Sequence, residues 1–190
     1  MYYIYDGTFE GLMTVVYDKY NEIGINDTII SAEDSGKILI FEKDEIETDA
    51  DKADKVVRKI LDKGKYLLFR DIVYCFAAAE KGKENIIFEY MKMVAGRKSS
   101  YKNYADSFEK KIDEISRRVG MEIHRLKGLV RFEMLVNGIL YAKIEPDNNI
   151  AAFLTNHFEN RLSSEKWIIK KEKRKILIYC DNGKSQKFEG

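Results

Sequence analysis

An α+β fold follows from three observations. Residues 1–100 carry apolar stripes at spacings of three, four and seven between short β-prone runs, a long amphipathic helix starts near residue 105, and beyond Gly128 the apolar period falls to two. The predicted arrangement is a mostly helical N-terminal part with short strands, residues 1–100. A C-terminal part follows, residues 101–190, in which the long helix precedes an antiparallel sheet of strand-strand-helix-strand-strand order. The two parts are expected to share one core, since single domains commonly reach about 100–200 residues and the chain has 190.

Taken in order, Tyr2 to Tyr5 is β-prone and ends at Asp6-Gly7. Thr8 is placed to cap a helix whose stripe is Phe9, Leu12, Met13, Val16, Tyr20 and Ile23, with Gly24 at its end. Thr28 to Ser31 reads as extended, Asp34-Ser35-Gly36 as a turn, and Lys37 to Lys43 as a strand. Thr48 is the expected cap of the next helix, with Asp49 and Asp51 in its first turn and Lys63-Gly64 as its stop. The acidic cluster Asp44 to Asp54 lacks the Gly and Asn spacing of a calcium loop and reads as a solvated helix start. Helices are predicted over 66–81, striped by Leu67, Leu68, Ile72, Cys75, Phe76 and Ala79, and over 84–95. The polar segment Gly96 to Asn103 is the expected mobile connection and domain seam.

From Ala105 to Ile123 the stripe Phe108, Ile112, Ile115, Val119 and Ile123 predicts a helix that turns at Gly128 into the first strand of the sheet. Asn137-Gly138 is a hairpin signal. A two-residue turn there sets Leu135 opposite Leu140 and Arg131 opposite Ile144. Pro146-Asp147-Asn148-Asn149 then precedes a helix from Ile150 to Leu162, with Asp147 as its expected cap, and a second hairpin runs through Trp167 to Cys180, turning at Glu172-Lys173-Arg174. Asp181 to Gly190 reads as a frayed tail.

The composition, 45% apolar and 12% aromatic with a single Pro, is that of a folded chain. No apolar run approaches the roughly 18 residues of a membrane span, and the N-terminus lacks a basic segment followed by an apolar one, so a cytoplasmic protein is expected. Cys75 and Cys180 form no metal or redox pair in sequence and read as buried apolar residues. Net charge is +1, yet residues 1–100 hold 15 Lys and Arg against 19 Asp and Glu, whereas residues 101–190 hold 18 against 13. Much of the excess lies in 117–133, RRVGMEIHRLKGLVRFE, where Arg117, Arg118, Arg125, Lys127, Arg131 and His124 are opposed by Glu122 and Glu133 alone.

The segments YDGTFEGLMTVVYD, ETDADKADKVVRKI, RRVGMEIHRLKGLVRFEML, LYAKIEPDNNI and NHFENRLSSEKWIIKK, in this order, resemble the successive motifs of a bacterial family described as probable DNA metabolism proteins. That family is encoded beside a predicted radical-SAM protein of DNA modification or repair, and a related domain is fused to uracil-DNA-glycosylase-like proteins. The resemblance implies a role in nucleic-acid repair with a radical-SAM partner, and identifies no reaction. Three closely spaced cysteines are needed for a radical-SAM cluster, so the iron-sulfur cluster and S-adenosylmethionine are expected on the partner, with no cofactor or metal in this chain.

Two surfaces carry the chemistry that remains. Arg117, Arg118, His124, Arg125, Lys127 and Arg131 form a candidate phosphate-contacting edge for DNA or RNA, with Phe132, Tyr141 and Trp167 as stacking aromatics. The alternative pairs Arg131 and Lys127 with Glu133, Glu145 or Asp147. His157 and Arg161 lie one turn apart on the late helix, where His157 near Asp147 is a candidate general base, as is His124 for proton transfer elsewhere. Three function classes result: a nucleic-acid-associated accessory without a catalytic site of its own, an enzyme acting on a nucleotide or base through His124 or His157, and a subunit that docks on another protein.

Overall fold

The computed structural model describes residues 1–36, 42–95, 105–171 and 176–189. The predicted strand residues 37–41, the connection 96–103 and the turn 172–174 lie outside them. The chain divides into two compact units, Met1–Ser116 and Arg117–Gly190.

In the first unit, strand β1 (Tyr2–Tyr5) lies between β2 (Thr28–Ser31) and β3 (Lys43–Glu45), parallel to both. A central strand flanked on both sides favours an unbroken apolar run, and Tyr3, Ile4 and Tyr5 are all buried. Helix α1 (Phe9–Lys19) joins β1 to β2, and α2 (Ala32–Ser35) follows β2 where a turn was predicted. Helices α3 (Ala50–Leu61), α4 (Tyr66–Ala77) and α5 (Lys83–Val94) pack in succession, with α1 against α3.

One carboxylate joins these pieces. Asp6 Oδ1 accepts from the Thr8 amide and hydroxyl at 2.9 and 2.7 Å, and Oδ2 accepts from the Thr48 hydroxyl at 2.8 Å. Thr8 caps α1 as expected, accepting from the Gly11 amide at 2.9 Å. Thr48 does not cap α3: its hydroxyl is committed to Asp6, and Asp49 caps instead, accepting from the Asp51 and Lys52 amides. Gly11 is there for space, since a Cβ would stand 2.3 Å from Asp6 Oδ1 and 2.9 Å from Thr48 Oγ1. On α4, Leu67 is 68% exposed rather than part of the buried stripe, and Ile72 and Cys75 carry it.

Helix α6 (Ala105–Leu129) buries Ile112, Ile115, Val119 and Ile123, the face that the spacing predicts, but it does not turn at Gly128. Gly128 keeps a negative φ, and the Val130 amide still donates to the Leu126 carbonyl at 3.1 Å. The expected first strand shrinks to β4 (Glu133–Met134), which pairs antiparallel with β5 (Leu140–Ile144). The hairpin at Asn137-Gly138 exists with a different register. The Leu135 amide donates to the Ile139 carbonyl and the Gly138 amide to the Leu135 carbonyl, so the loop has three residues, with Gly138 at φ +80°. Met134, not Leu135, therefore faces Leu140. That one-residue slip exchanges the faces of the strand.

The sheet of the second unit is ordered β4-β5-β6-β7-β8, with β6 (Trp167–Lys171), β7 (Ile176–Asp181) and β8 (Lys184–Glu189). It is mostly antiparallel, as expected, except that β5 and β6 run parallel across the connection that holds α7 (Ala151–Arg161). A helix between two strands gives the chain the length to return in the same direction. Residues 181–189 are no frayed tail. Asp181 pairs with Lys184 around Asn182 and Gly183, both at positive φ, and β8 completes the sheet, with the Ser185 amide donating to Glu159 of α7 at 3.0 Å. The α7 N-cap is Ile150, without a side-chain bond, so Asp147 is not the cap.

Gly11→Ala is expected to lower stability by about 1–3 kcal/mol, the usual cost of forcing an extra methyl into a packed site. Urea unfolding checks this; an unchanged midpoint would show that Asp6 and Thr48 can yield without loss.

Candidate functional site

The second unit is built around Glu122 of α6. This carboxylate is buried and accepts from the Asp147 amide at 2.6 Å, the Asn148 amide at 3.2 Å and the Asn148 side-chain amide at 2.7 Å. Its hydrogen bonds go inward, to the turn before α7, rather than to the cations beside it in sequence. Asp147 contributes its backbone, and its own side chain is exposed.

The cations stay outside. Arg117, His124, Arg125 and Arg131 are exposed and Lys127 is half-buried; among the described residues none of the four Arg and Lys forms an ion pair. Arg118 is exposed as well but has an interaction partner. Arg131 turns back to donate to the Gly128 carbonyl at 3.5 Å, a contact at the end of α6. The alternative pairing of Arg131 and Lys127 with Glu133, Glu145 or Asp147 does not occur. At 100° per residue, Arg117, Met121, His124 and Gly128 fall on one line of α6, with Arg125 beside it, opposite the buried line of Val119 and Ile123. Met121 and Leu129 are exposed among these cations, and Met134 and Val136 on the adjoining hairpin.

Behind this surface sits an aromatic cluster. Phe132 meets Phe158 edge-on at 5.1 Å and Trp167 at 6.4 Å, Phe158 meets Trp167 at 6.3 Å, and His157 meets Phe158 at 4.9 Å. Trp167 is fully buried, so its indole is not on offer for stacking; Phe132 and Tyr141 are partly exposed. The Trp167 indole N–H and His157 Nε2 are both buried without a hydrogen-bond partner.

Burial pushes the His157 imidazole below its ordinary value of 6.5, and the charges of Lys127 and Arg161 push it further. Two cations from different helices thus act on one neutral imidazole. His157 Nε2 has no hydrogen-bond partner, and among the described residues no ion pair joins His157 to Asp147, so the base and orienting carboxylate expected from the sequence do not form a pair. Among the described residues no three His, Cys, Asp or Glu side chains gather to hold a metal, and no helix is long and apolar enough to cross a membrane. Sequence reasoning found the cations but missed the inward role of Glu122. A lone acid three residues after Val119 and seven after Ile115, on the buried stripe, was the available signal.

A sequence profile described as a domain of unknown function, DUF4130, matches residues 81–189, from α5 to β8. No match was found among curated proteins or among solved structures.

Glu122→Ala leaves three donors, two of them buried, without an acceptor and is expected to cost about 3 kcal/mol, whereas Glu133→Ala, at an exposed position, should stay within about 0.5 kcal/mol. Chemical denaturation of the two variants makes the comparison. For His157 the folded form binds its proton less readily than the unfolded chain. Acidification below pH 6.5 therefore protonates the unfolded state first and lowers stability, and His157→Gln should flatten that part of the profile. An NMR titration should place His157 below 6.5 and move it upward in Arg161→Ala; an upward shift from the ordinary value in the parent protein would contradict the geometry.

Proposed function

The chain belongs to the DUF4130 family, and from that premise we propose that it is a nucleic-acid-associated accessory protein of DNA metabolism or repair, which presents the last turns of α6 to a phosphate backbone. The observation that supports this reading is the exposure of Arg117, Arg125 and Arg131, together with Lys127, without ion pairs, while Glu122 spends its hydrogen bonds in the interior. Exposed guanidiniums suit phosphate because their planar donor fork matches its oxygens. Arg161, exposed on α7, extends the positive region onto that helix. The partner in this reading is the radical-SAM protein that the resemblance implies, and its iron-sulfur cluster and S-adenosylmethionine supply the chemistry. A catalytic role for His124 or His157 draws less support, because His157 lacks the orienting carboxylate that a general base commonly uses.

A protein-docking role draws on a separate observation, the exposure of Met121, Leu129, Met134 and Val136 beside the cations. Large apolar side chains grouped at a surface are a usual mark of a protein interface. The two readings fit one molecule if the apolar edge takes the partner and the cations take the nucleic acid.

Binding to a short oligonucleotide, titrated at several salt concentrations, should give a log–log slope of about 3 in magnitude if three or four phosphates are neutralised, and Arg125→Ala with Arg131→Ala should reduce it by about 2. Salt-independent binding, or none, would remove the nucleic-acid reading. Met134→Asp with Val136→Asp should lower retention of the co-expressed radical-SAM partner while leaving the salt slope in place.

A further inference from the structure

The first unit contains a groove that the reading above does not use. It lies among α1, α3, α4 and α5 and encloses about 480 Å³, inside the range of about 300–1,000 Å³ usual for small-molecule sites. Its floor is aliphatic: Val16, Val56, Ile60, Leu68, Met91 and Val94. Its rim is cationic. Lys55, Lys59, Lys63 and Lys65 all line it, and among the described residues no Asp or Glu does.

The four lysines are not equivalent. Lys65 donates to the Val94 carbonyl at 3.1 Å, and the Lys55 ammonium stands 5.7 Å from the centre of the Tyr17 ring. Lys59 in the last turn of α3 and Lys63 just beyond its end are exposed and form no ion pair among the described residues. The helix dipole accounts for a cation in the last turn of α3, such as Lys59. It does not account for Lys55 and Lys65 on the same rim. Nor does it explain why Val56 and Ile60, on the apolar side of the helix, are only half-buried although α1 and α4 pack against it.

Among the described residues the aliphatic floor is uncovered and the cationic rim unopposed, a combination complementary to one kind of molecule. We infer that this groove binds a small amphiphilic anion, its aliphatic body on Val56, Ile60 and Met91 and its carboxylate or phosphate head between Lys59 and Lys63. Tyr17 and Tyr20 line the groove as well, and the aliphatic side chains of the floor suit an alkyl chain. The lysine rim rejects the same chain with a neutral or cationic head.

Calorimetric titration with decanoate, decyl phosphate, decanol and decyltrimethylammonium tests this, below the micelle concentration of each. Saturable binding of the two anions is expected, with the tighter one naming the head group. Affinity should rise about fourfold per methylene from octanoate to decanoate while the chain finds floor to cover. The Lys59→Gln, Lys63→Gln double variant, altered only at exposed positions, should weaken the anions about tenfold and leave decanol unchanged. No saturable anion binding, or equal binding of decanol and decanoate, would overturn the inference. So would anion affinity unaffected by the double variant. A loss of affinity for the alcohol as well would mean that the floor had been disturbed; Lys59→Arg with Lys63→Arg, which keeps the charge, then decides, with anion affinity near the parent's supporting the inference and a loss as large as in the Gln variant overturning it.

Discussion

The buried carboxylate of Glu122 is the constraint on which the second unit depends. A charge taken out of water must be repaid by hydrogen bonds, and Glu122 obtains three from two consecutive residues of the turn between β5 and α7. Those bonds fix where α6 runs relative to that turn, and so bring Lys127 of α6 within electrostatic reach of His157 on α7. The same bonds decide the charge of the surface. Glu122 is the sole acid among residues 117–131, and its withdrawal leaves Arg117, Arg125 and Lys127 of α6 without a carboxylate nearby in sequence.

Helix capping accounts for part of this excess. Cations near a helix C-terminus typically gain about 0.3–1 kcal/mol each, and the effect fades beyond the last turn. Lys127, in that turn, and Arg131, which reaches the Gly128 carbonyl, fall under this account. Arg117 lies more than three turns before the end of α6 and does not. The inward-facing groups add a second asymmetry. His157 remains neutral in a positive setting while its Nε2 and the Trp167 indole N–H lack partners, so the polar capacity of this region is only partly used within the chain.

The legible parts of the fold were those set by periodicity and local caps. The stripe Ile112, Ile115, Val119, Ile123 identifies the buried face of α6, and Thr8 the start of α1, because both depend on neighbours in sequence. Gly128 misled because glycine permits a turn without requiring one; there a Cβ would meet nothing within 4 Å and φ is ordinary. Asn182-Gly183 carried the same dipeptide as Asn137-Gly138 and makes the tighter hairpin, yet the apolar alternation that should accompany a strand is weak in Lys184–Glu189. Thr48 and Asp49 were adjacent candidates for one cap. The choice fell to a distant partner, Asp6, which no local rule reaches. The cationic residues of the candidate surface were equally legible by type, but not whether carboxylates met them, since that depends on which way Glu122 and Glu133 face.

Near-neutral net charge shapes how such a surface can act. At +1 overall the molecule has almost no long-range attraction for a polyanion, and at physiological salt fields from exposed charges fade within about 8 Å. In the nucleic-acid reading, recruitment comes from contact with the cluster itself, not from steering by the whole protein. A handful of phosphate contacts gives weak, salt-sensitive binding of little sequence preference. Such binding becomes selective when a second contact raises the effective concentration, and the apolar residues Met121, Leu129, Met134 and Val136 beside the cations are where this unit offers one.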